Sequence, residues 1–218
     1  MKLLPVGLRK VLKCQAKDLR QRWAMRAWSR LLHKHGISAD KPALLHVGCG
    51  PINAHGFINI DARPQPHVHI VTRNLFKLWM IPDASADLIY MCHVLEHVGH
   101  NDSMSTLREM YRILRPGGVL RISVPDLDLL IAAYQGSGHQ IRAIERALMG
   151  GQDYRFNFHY AAFNAEHLRN LLLTGGFRTT REWNPLDCEH HDFADWASRP
   201  ISWNGRDFPV SLNLEGVK

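Results

Sequence analysis

The chain has 218 residues, 45% of them hydrophobic and 22% charged, with four cysteines and a net charge of +7. That length suits one domain with a sizeable core, and the absence of any apolar run approaching ~18 residues excludes a spanning helix. Cys14, Cys49, Cys92 and Cys188 are far apart and form no Cys-x-x-Cys pair, so a reduced, cytoplasmic protein is expected.

The charge is unevenly placed. Residues 1–36 hold ten Lys/Arg against the single acid Asp18, which gives +9 there and −2 over the rest of the chain. Charge interrupts this segment every few residues, so it lacks the apolar core of a secretory signal. Leu8, Val11, Leu12, Leu19, Trp23, Ala27, Trp28, Leu31 and Leu32 mostly recur at steps of three or four, the stripe of an amphipathic helix with a break expected near Gln15. Gly36 ends it, and residues 1–40 form a basic helical arm ahead of a domain over 41–218. Packing on the domain is the expected fate of the stripe, near the open side of a ligand site. An anionic membrane surface is the alternative partner, because Trp23 and Trp28 accompany the cations.

From Ala43 onward short apolar runs alternate with helical patterns. "ALLHV", "FINI", "VHIV", "ADLIYMC" and "VLRISV" read as strands, and "FRTTREW" and "FPVSLNLEGVK" as two more. "NDSMSTLREMYRILRPGG" reads as a helix capped by Asn101 or Asp102, with Leu107, Met110, Tyr111 and Leu114 inward and Pro116-Gly117-Gly118 as its stop. "NAEHLRNLLLTGG" reads as a second capped helix. The alternation predicts an α/β, Rossmann-like, mostly parallel sheet flanked by helices.

The informative stretch is "LLHVGCGPINAHGFINID". Glycines after a first strand let the backbone turn sharply and meet a ligand without an intervening β-carbon. A dinucleotide fingerprint needs a third glycine and an acid about 20 residues on. Here Asn53 stands at the third position and Asp61 follows Gly48 by 13 residues. No phosphate-binding lysine is present, so the cradle suits a nucleoside whose ribose hydroxyls meet Asp61.

Together "HVGCG…FINID", "PDASADLIYMCHVLEHV", "LREMYRILRPGGVLRISVPD" and "HYAAFNAEHLRNLLLTGGF" resemble the class I S-adenosylmethionine-dependent methyltransferases, in particular a type 11-like group linked to cell-surface saccharide synthesis. The resemblance covers roughly residues 43–183. It implies S-adenosyl-L-methionine as cofactor, with Gly48, Cys49 and Gly50 along its methionine portion and Asp61 on the ribose. The family's adenine-binding acid falls on Asn74, followed by Leu75. Asparagine keeps an acceptor oxygen and loses the charge. Cys92 and His93, after the fourth strand, fall where cofactor and methyl acceptor meet. Only nine residues, 48–56, separate the first two strands, too few for a full helical crossover.

For acid–base chemistry the candidates are His93, Asp126 and His159. Asp126 reads equally as a helix cap. His93 and His97 share a helical face, yet a metal needs a third ligand, and no metal is expected. "YRFNFHYAAFN" reads as a loop over the acceptor, and "DCEHHDF" as a solvated polar loop. The expected function is methyl transfer to an oxygen or nitrogen of a small polar acceptor such as a saccharide or glycan precursor. A cofactor-binding scaffold without turnover is the alternative. RNA methylation ranks last, since no nucleic-acid-binding module accompanies the basic arm.

Overall fold

The computed structural model describes residues 6–38 and 41–218. A first helix, α1 (Val6–Lys34), is followed by β1 (Leu44–Val47), β2 (Phe57–Asp61), β3 (Ile70–Val71) and β4 (Ala86–Cys92). A single 3-10 turn (Leu95–His97) leads to α2 (His100–Ile113) and the long β5 (Leu114–Pro125). Then come α3 (Leu127–Gly136), α4 (Ile141–Met149), α5 (Ala165–Gly175), β6 (Thr179–Glu182), a hairpin of β7 (Ile201–Trp203) and β8 (Arg206–Phe208), and β9 (Ser211–Val217).

Seven strands form one sheet in the order β3-β2-β1-β4-β5-β9-β6. Pairings from β3 through β5 are parallel, and β9 runs antiparallel to both neighbours. The expected α/β, Rossmann-like architecture is therefore present. Strand order reverses between β1 and β4, so a crevice opens beyond their carboxyl ends. The central strands are buried on both faces, as their unbroken apolar runs require: Leu45, Val47, Ile58, Ile60, Ile89, Met91, Leu120 and Ile122 have 0% exposure.

Several local expectations change. Residues 48–56 make turns with no helix, which is how nine residues join β1 to β2. α2 begins at His100 with Gly99 at its N-cap and no side-chain cap, so neither Asn101 nor Asp102 has that role. It stops at Ile113, and Leu114 already belongs to β5, where it pairs with Ala86. α5 follows its sequence signals: Asn164 accepts from the His167 N–H at 3.0 Å, and Gly176 closes the helix at φ 112°. α4 and the β7–β8 hairpin, which the sequence did not announce, pack Ile144, Ile201 and Phe208 against Leu130 and Ala133 of α3.

The arm is one continuous helix through Gln15, without the expected break. Only its last turns pack: Ala24, Trp28 and Leu32 are buried, whereas Leu8, Val11, Leu12, Leu19 and Trp23 are exposed. Its partners lie at the amino ends of β1 and β4, around Ala43, Ser85 and Asp87. That is the opposite end of the sheet from the glycine turn, which overturns the placement near the open side of the ligand site. The domain boundary expected at residue 40 falls outside the described residues.

Candidate active site

The turn after β1 is shaped by its hydrogen bonds. The N–H groups of Gly48 and Cys49 both reach the Ile60 carbonyl, at 2.7 and 3.1 Å. Gly48 sits at φ 71° and Gly50 at φ 53°, a region that costs other residues strain. Close approach adds a second reason at Gly48, where a β-carbon would stand 2.3 Å from Val94. At Gly50 a β-carbon would enter open space, which is the space a ligand would take.

Asp61, at the end of β2, ties this turn down. One carboxylate oxygen accepts from the Gly50 N–H and the other from the Arg63 N–H, each at 2.8 Å. Each oxygen keeps a further lone pair for a ligand diol. The Gly50 carbonyl in turn meets Gln65 Nε2 at 3.0 Å and His67 Nε2 at 2.9 Å, so the loop after β2 clasps the cradle.

Two cavities meet here. The first, about 400 Å³, is lined by Gly48, Gly50, Asp61, Leu75 and Phe76 among others. The second, about 310 Å³, is lined by Cys49, Cys92, Arg146, Asp153, His159 and Trp196 among others. Gly48, Gly50, Arg63, His93, His97 and Tyr154 line both. The Arg63 guanidinium lies 4.2 Å from the Tyr154 ring centre and closes the partition from above. The irregular segment before α5 therefore borders both cavities.

His93 stands on that partition at φ 52°, a backbone conformation uncommon outside glycine. Its N–H donates to the Ser123 carbonyl at 2.9 Å. Ser211 Oγ gives its only hydrogen to the Trp196 carbonyl at 2.6 Å, so at 2.8 Å from His93 Nε2 it accepts. The tautomer follows: Nε2 carries the hydrogen, and the Nδ1 lone pair faces Glu96 Oε1 at 3.5 Å. Burial, with His159 and His97 nearby, lowers the His93 pKa to about 3, so the ring is neutral near pH 7. His159, from the loop before α5, has its pKa lowered to about 4 by burial and by His97. Burial raises the Glu96 carboxyl to about 8.

The remaining candidates divide. Asp126 caps α3 by accepting from the Asp128 N–H at 3.0 Å, and it lines neither cavity. The cap reading holds, and a catalytic role for Asp126 is withdrawn. Asn74 is flanked by lining residues Arg73 and Leu75 but is not itself among them; its Oδ1 is buried without a partner. Cys49 is buried, and burial next to Asp61 pushes its thiol up to about 12, so it packs and does not react. Burial likewise raises Cys92 well above the usual thiol range.

One group escaped the sequence. Tyr90 donates to Asp195, and His191 Nε2 lies 3.2 Å from the Tyr90 hydroxyl. The "DCEHHDF" stretch is not wholly solvated: Cys188, His191 and Phe193 turn inward, and Phe193 stacks on His46 with ring centres 5.6 Å apart.

Comparison with known proteins agrees with the architecture. Residues 53–122, about a third of the chain, match a methyltransferase domain family. A probable S-adenosylmethionine-dependent methyltransferase of Mycolicibacterium smegmatis is 34% identical over 51% of this chain and 36% of its own length. The chain thus spans about a third of the length of that curated relative. A ubiquinone/menaquinone biosynthesis C-methyltransferase of Vibrio campbellii is 29% identical over 69% of this chain and 57% of its own length. Among solved structures, a SAM-dependent methyltransferase from Archaeoglobus fulgidus superposes with a TM-score of 0.52 at 16% identity, over 92% of this chain and 98% of that one. The 1,6-didemethyltoxoflavin-N1-methyltransferase of Burkholderia thailandensis, solved with S-adenosylhomocysteine, gives 0.51 at 19% identity over 97% and 87%. Sheet order and domain match agree: the chain has the Rossmann-like fold of the class I methyltransferases, and over about a third of its length it is similar to a methyltransferase domain family.

Proposed function

We propose that the protein transfers the methyl group of S-adenosylmethionine to an oxygen or nitrogen of a small polar acceptor, with a saccharide or glycan precursor as the favoured class. The observation that carries this reading is the shared wall of two cavities. One cavity holds the glycine turn and Asp61; the other is lined by Arg146, Asp153, Asn157, His159 and the Trp196 indole. A polar lining with the Tyr154 and Trp196 rings beside it suits a hydroxylated ring.

In this reading Gly48 and Gly50 admit the cofactor, Asp61 holds its ribose, and Leu75 borders its base. Asn74 Oδ1 is unpartnered but buried beneath the lining, so it would have to turn toward the cavity to accept from the adenine amino group. The sulfonium is an activated donor, so alignment across the partition supplies most of the rate. The acceptor atom attacks the methyl carbon, the C–S bond breaks with its electron pair going to sulfur, and the acceptor's proton leaves to a base. His159 is the better-placed base, because His93 Nε2 already carries a hydrogen that it donates to Ser211.

The test is tritium transfer from labelled S-adenosylmethionine to a panel of saccharides, amines and quinols, beside calorimetry with S-adenosylhomocysteine. Transfer to a polar acceptor is expected. Cofactor binding without transfer to any acceptor favours the scaffold reading, and transfer only to quinol carbon overturns the acceptor class. A second partner is proposed for the outer face of α1, where exposed Leu8, Leu12, Leu19 and Trp23 accompany basic residues: an anionic membrane surface. No described helix is long and apolar enough to cross a membrane. Co-sedimentation with anionic vesicles that salt does not weaken, or no co-sedimentation, refutes that contact.

A further inference from the structure

The 3-10 turn after His93 buries Glu96 at 1% exposure, beneath the partition between the two cavities. Neither of its carboxylate oxygens has a hydrogen-bond partner. A carboxylate so placed is costly, and buried polar groups are ordinarily satisfied. What surrounds it is imidazole. His159 Nε2 lies 3.9 Å from Glu96 Oε1, and the His97 and His159 rings meet edge to face with centres 4.7 Å apart. One ligand atom from each of Glu96, His97 and His159 lies within 4.8 Å of the other two.

We propose that Glu96, His97 and His159 form a binding site for one divalent transition-metal ion, Zn²⁺ or Co²⁺ in type, with its open positions facing the acceptor cavity.

Two imidazoles and a carboxylate are the donor set of such ions, and three protein ligands leave room for an exogenous one. Bonds of about 2.0–2.2 Å place tetrahedral ligand atoms roughly 3.3–3.6 Å apart, so the 3.9 Å Glu96–His159 gap and separations of up to 4.8 Å within the cluster close by side-chain rotation. The ligands are also held in advance. His97 Nδ1 faces the Phe158 carbonyl at 3.1 Å; a carbonyl only accepts, so Nδ1 carries the hydrogen and Nε2 keeps its lone pair. The N–H groups of Tyr160 and Ala161 reach the Glu96 carbonyl at 2.8 and 3.3 Å, which stitches the His159 segment to the Glu96 turn. His93 Nδ1, turned toward Glu96 Oε1 at 3.5 Å by the Ser211 bond, borders the site outside the three-ligand set.

The position gives the ion a use. His97 lines both cavities and His159 lines the acceptor cavity. With His159 bound to the ion and no longer serving as the base, an acceptor hydroxyl on the ion would release its proton to solvent more readily, and its oxygen would then attack the methyl carbon as the C–S electron pair passes to sulfur. This use rests on the methyl-transfer reading; the metal site does not.

The test is titration of chelator-treated, untagged protein with Co²⁺, followed by visible d–d absorption and by metal analysis after dialysis. One Co²⁺ per chain is expected, displaced by Zn²⁺. Glu96→Gln and His159→Ala should each raise the Kd for Co²⁺ at least tenfold, with thermal melts to confirm folding. His159→Ala carries the test should Glu96→Gln fail to fold. Absence of stoichiometric uptake of either ion overturns the proposal, as does unchanged affinity in the variants, which would assign the ion to other histidines. Calorimetry with S-adenosylhomocysteine on the parent protein separates the two readings. Cofactor binding without cobalt uptake overturns the metal site alone, and cobalt uptake without cofactor binding overturns the cradle alone.

Discussion

Replacing Asp61 by Asn removes a charge and little volume, so it isolates what the carboxylate does. In the parent each oxygen accepts one backbone N–H at 2.8 Å, from Gly50 and from Arg63. In the variant one of those N–H groups faces an amide NH₂, a donor against a donor. Losing one hydrogen bond to a charged acceptor costs about 1.5–3 kcal/mol. For a chain of this size that is a fall in Tm of roughly 3–12 °C. If the spare lone pairs also hold the ribose diol, the same change weakens S-adenosylhomocysteine binding roughly tenfold to a hundredfold. Differential scanning calorimetry gives the first quantity and isothermal titration the second. A variant that loses stability but binds the ligand like the parent would show that Asp61 only ties the loop, and the ribose assignment would fall.

Gly48→Ala meets Val94 at 2.3 Å and a strained backbone together, so it should cost about 2–4 kcal/mol of stability and weaken cofactor binding; a melt unchanged from the parent refutes this. Trp28→Ala should cost about 3–5 kcal/mol, because the indole is buried against the sheet, while deletion of residues 1–19 should cost under about 1 kcal/mol in urea unfolding. Equal losses would mean that the outer helix packs as well. His46 is buried with its pKa lowered to about 4, so the unfolded chain takes up a proton below pH 6.5 that the folded chain refuses. Its contribution is complete above pH 6.5 and lost as pH falls toward 4, about 2 kcal/mol by pH 5. His46→Phe should flatten that part of the stability–pH curve, and an unchanged slope refutes the assignment.

The cradle was legible because its parts are close in sequence. Gly48, Gly50 and Asp61 lie within one β-turn-β unit; spacing showed the turn the glycines make, while the bonds from Asp61 to the Gly50 and Arg63 N–H groups came only with the structure. The helix stop at Gly176 was legible for the same reason. The break expected at Gln15 was not real, since a polar interruption of a stripe need not bend a helix whose outer turns pack against nothing. The cap of α2 was misread because Gly99 serves as N-cap without a side-chain bond. The grouping of Glu96 with His159, and of Tyr90 with Asp195, depends on loops that return from distant parts of the chain. Spacing cannot reveal such pairs, and in the motif "CHVLEHV" it put His93 and His97 on one face without a third ligand.

β9 lies between β5 and β6 although both precede it in the chain. During synthesis, a chain ending before Ser211 has β5 with an open edge and β6 with no partner in the sheet. Residues 179–182 can take their final place only after Ser211–Val217 has left the ribosome, because β9 is the strand they pair with. Lys218 then locks the seam, with its ammonium donating to the carbonyls of Tyr111 and Leu114 at 2.6 and 2.7 Å. The order of assembly is thus inverted relative to the order of translation. Until Ser211–Val217 is in place, the exposed β5 edge is where a nascent chain would pair with a neighbour.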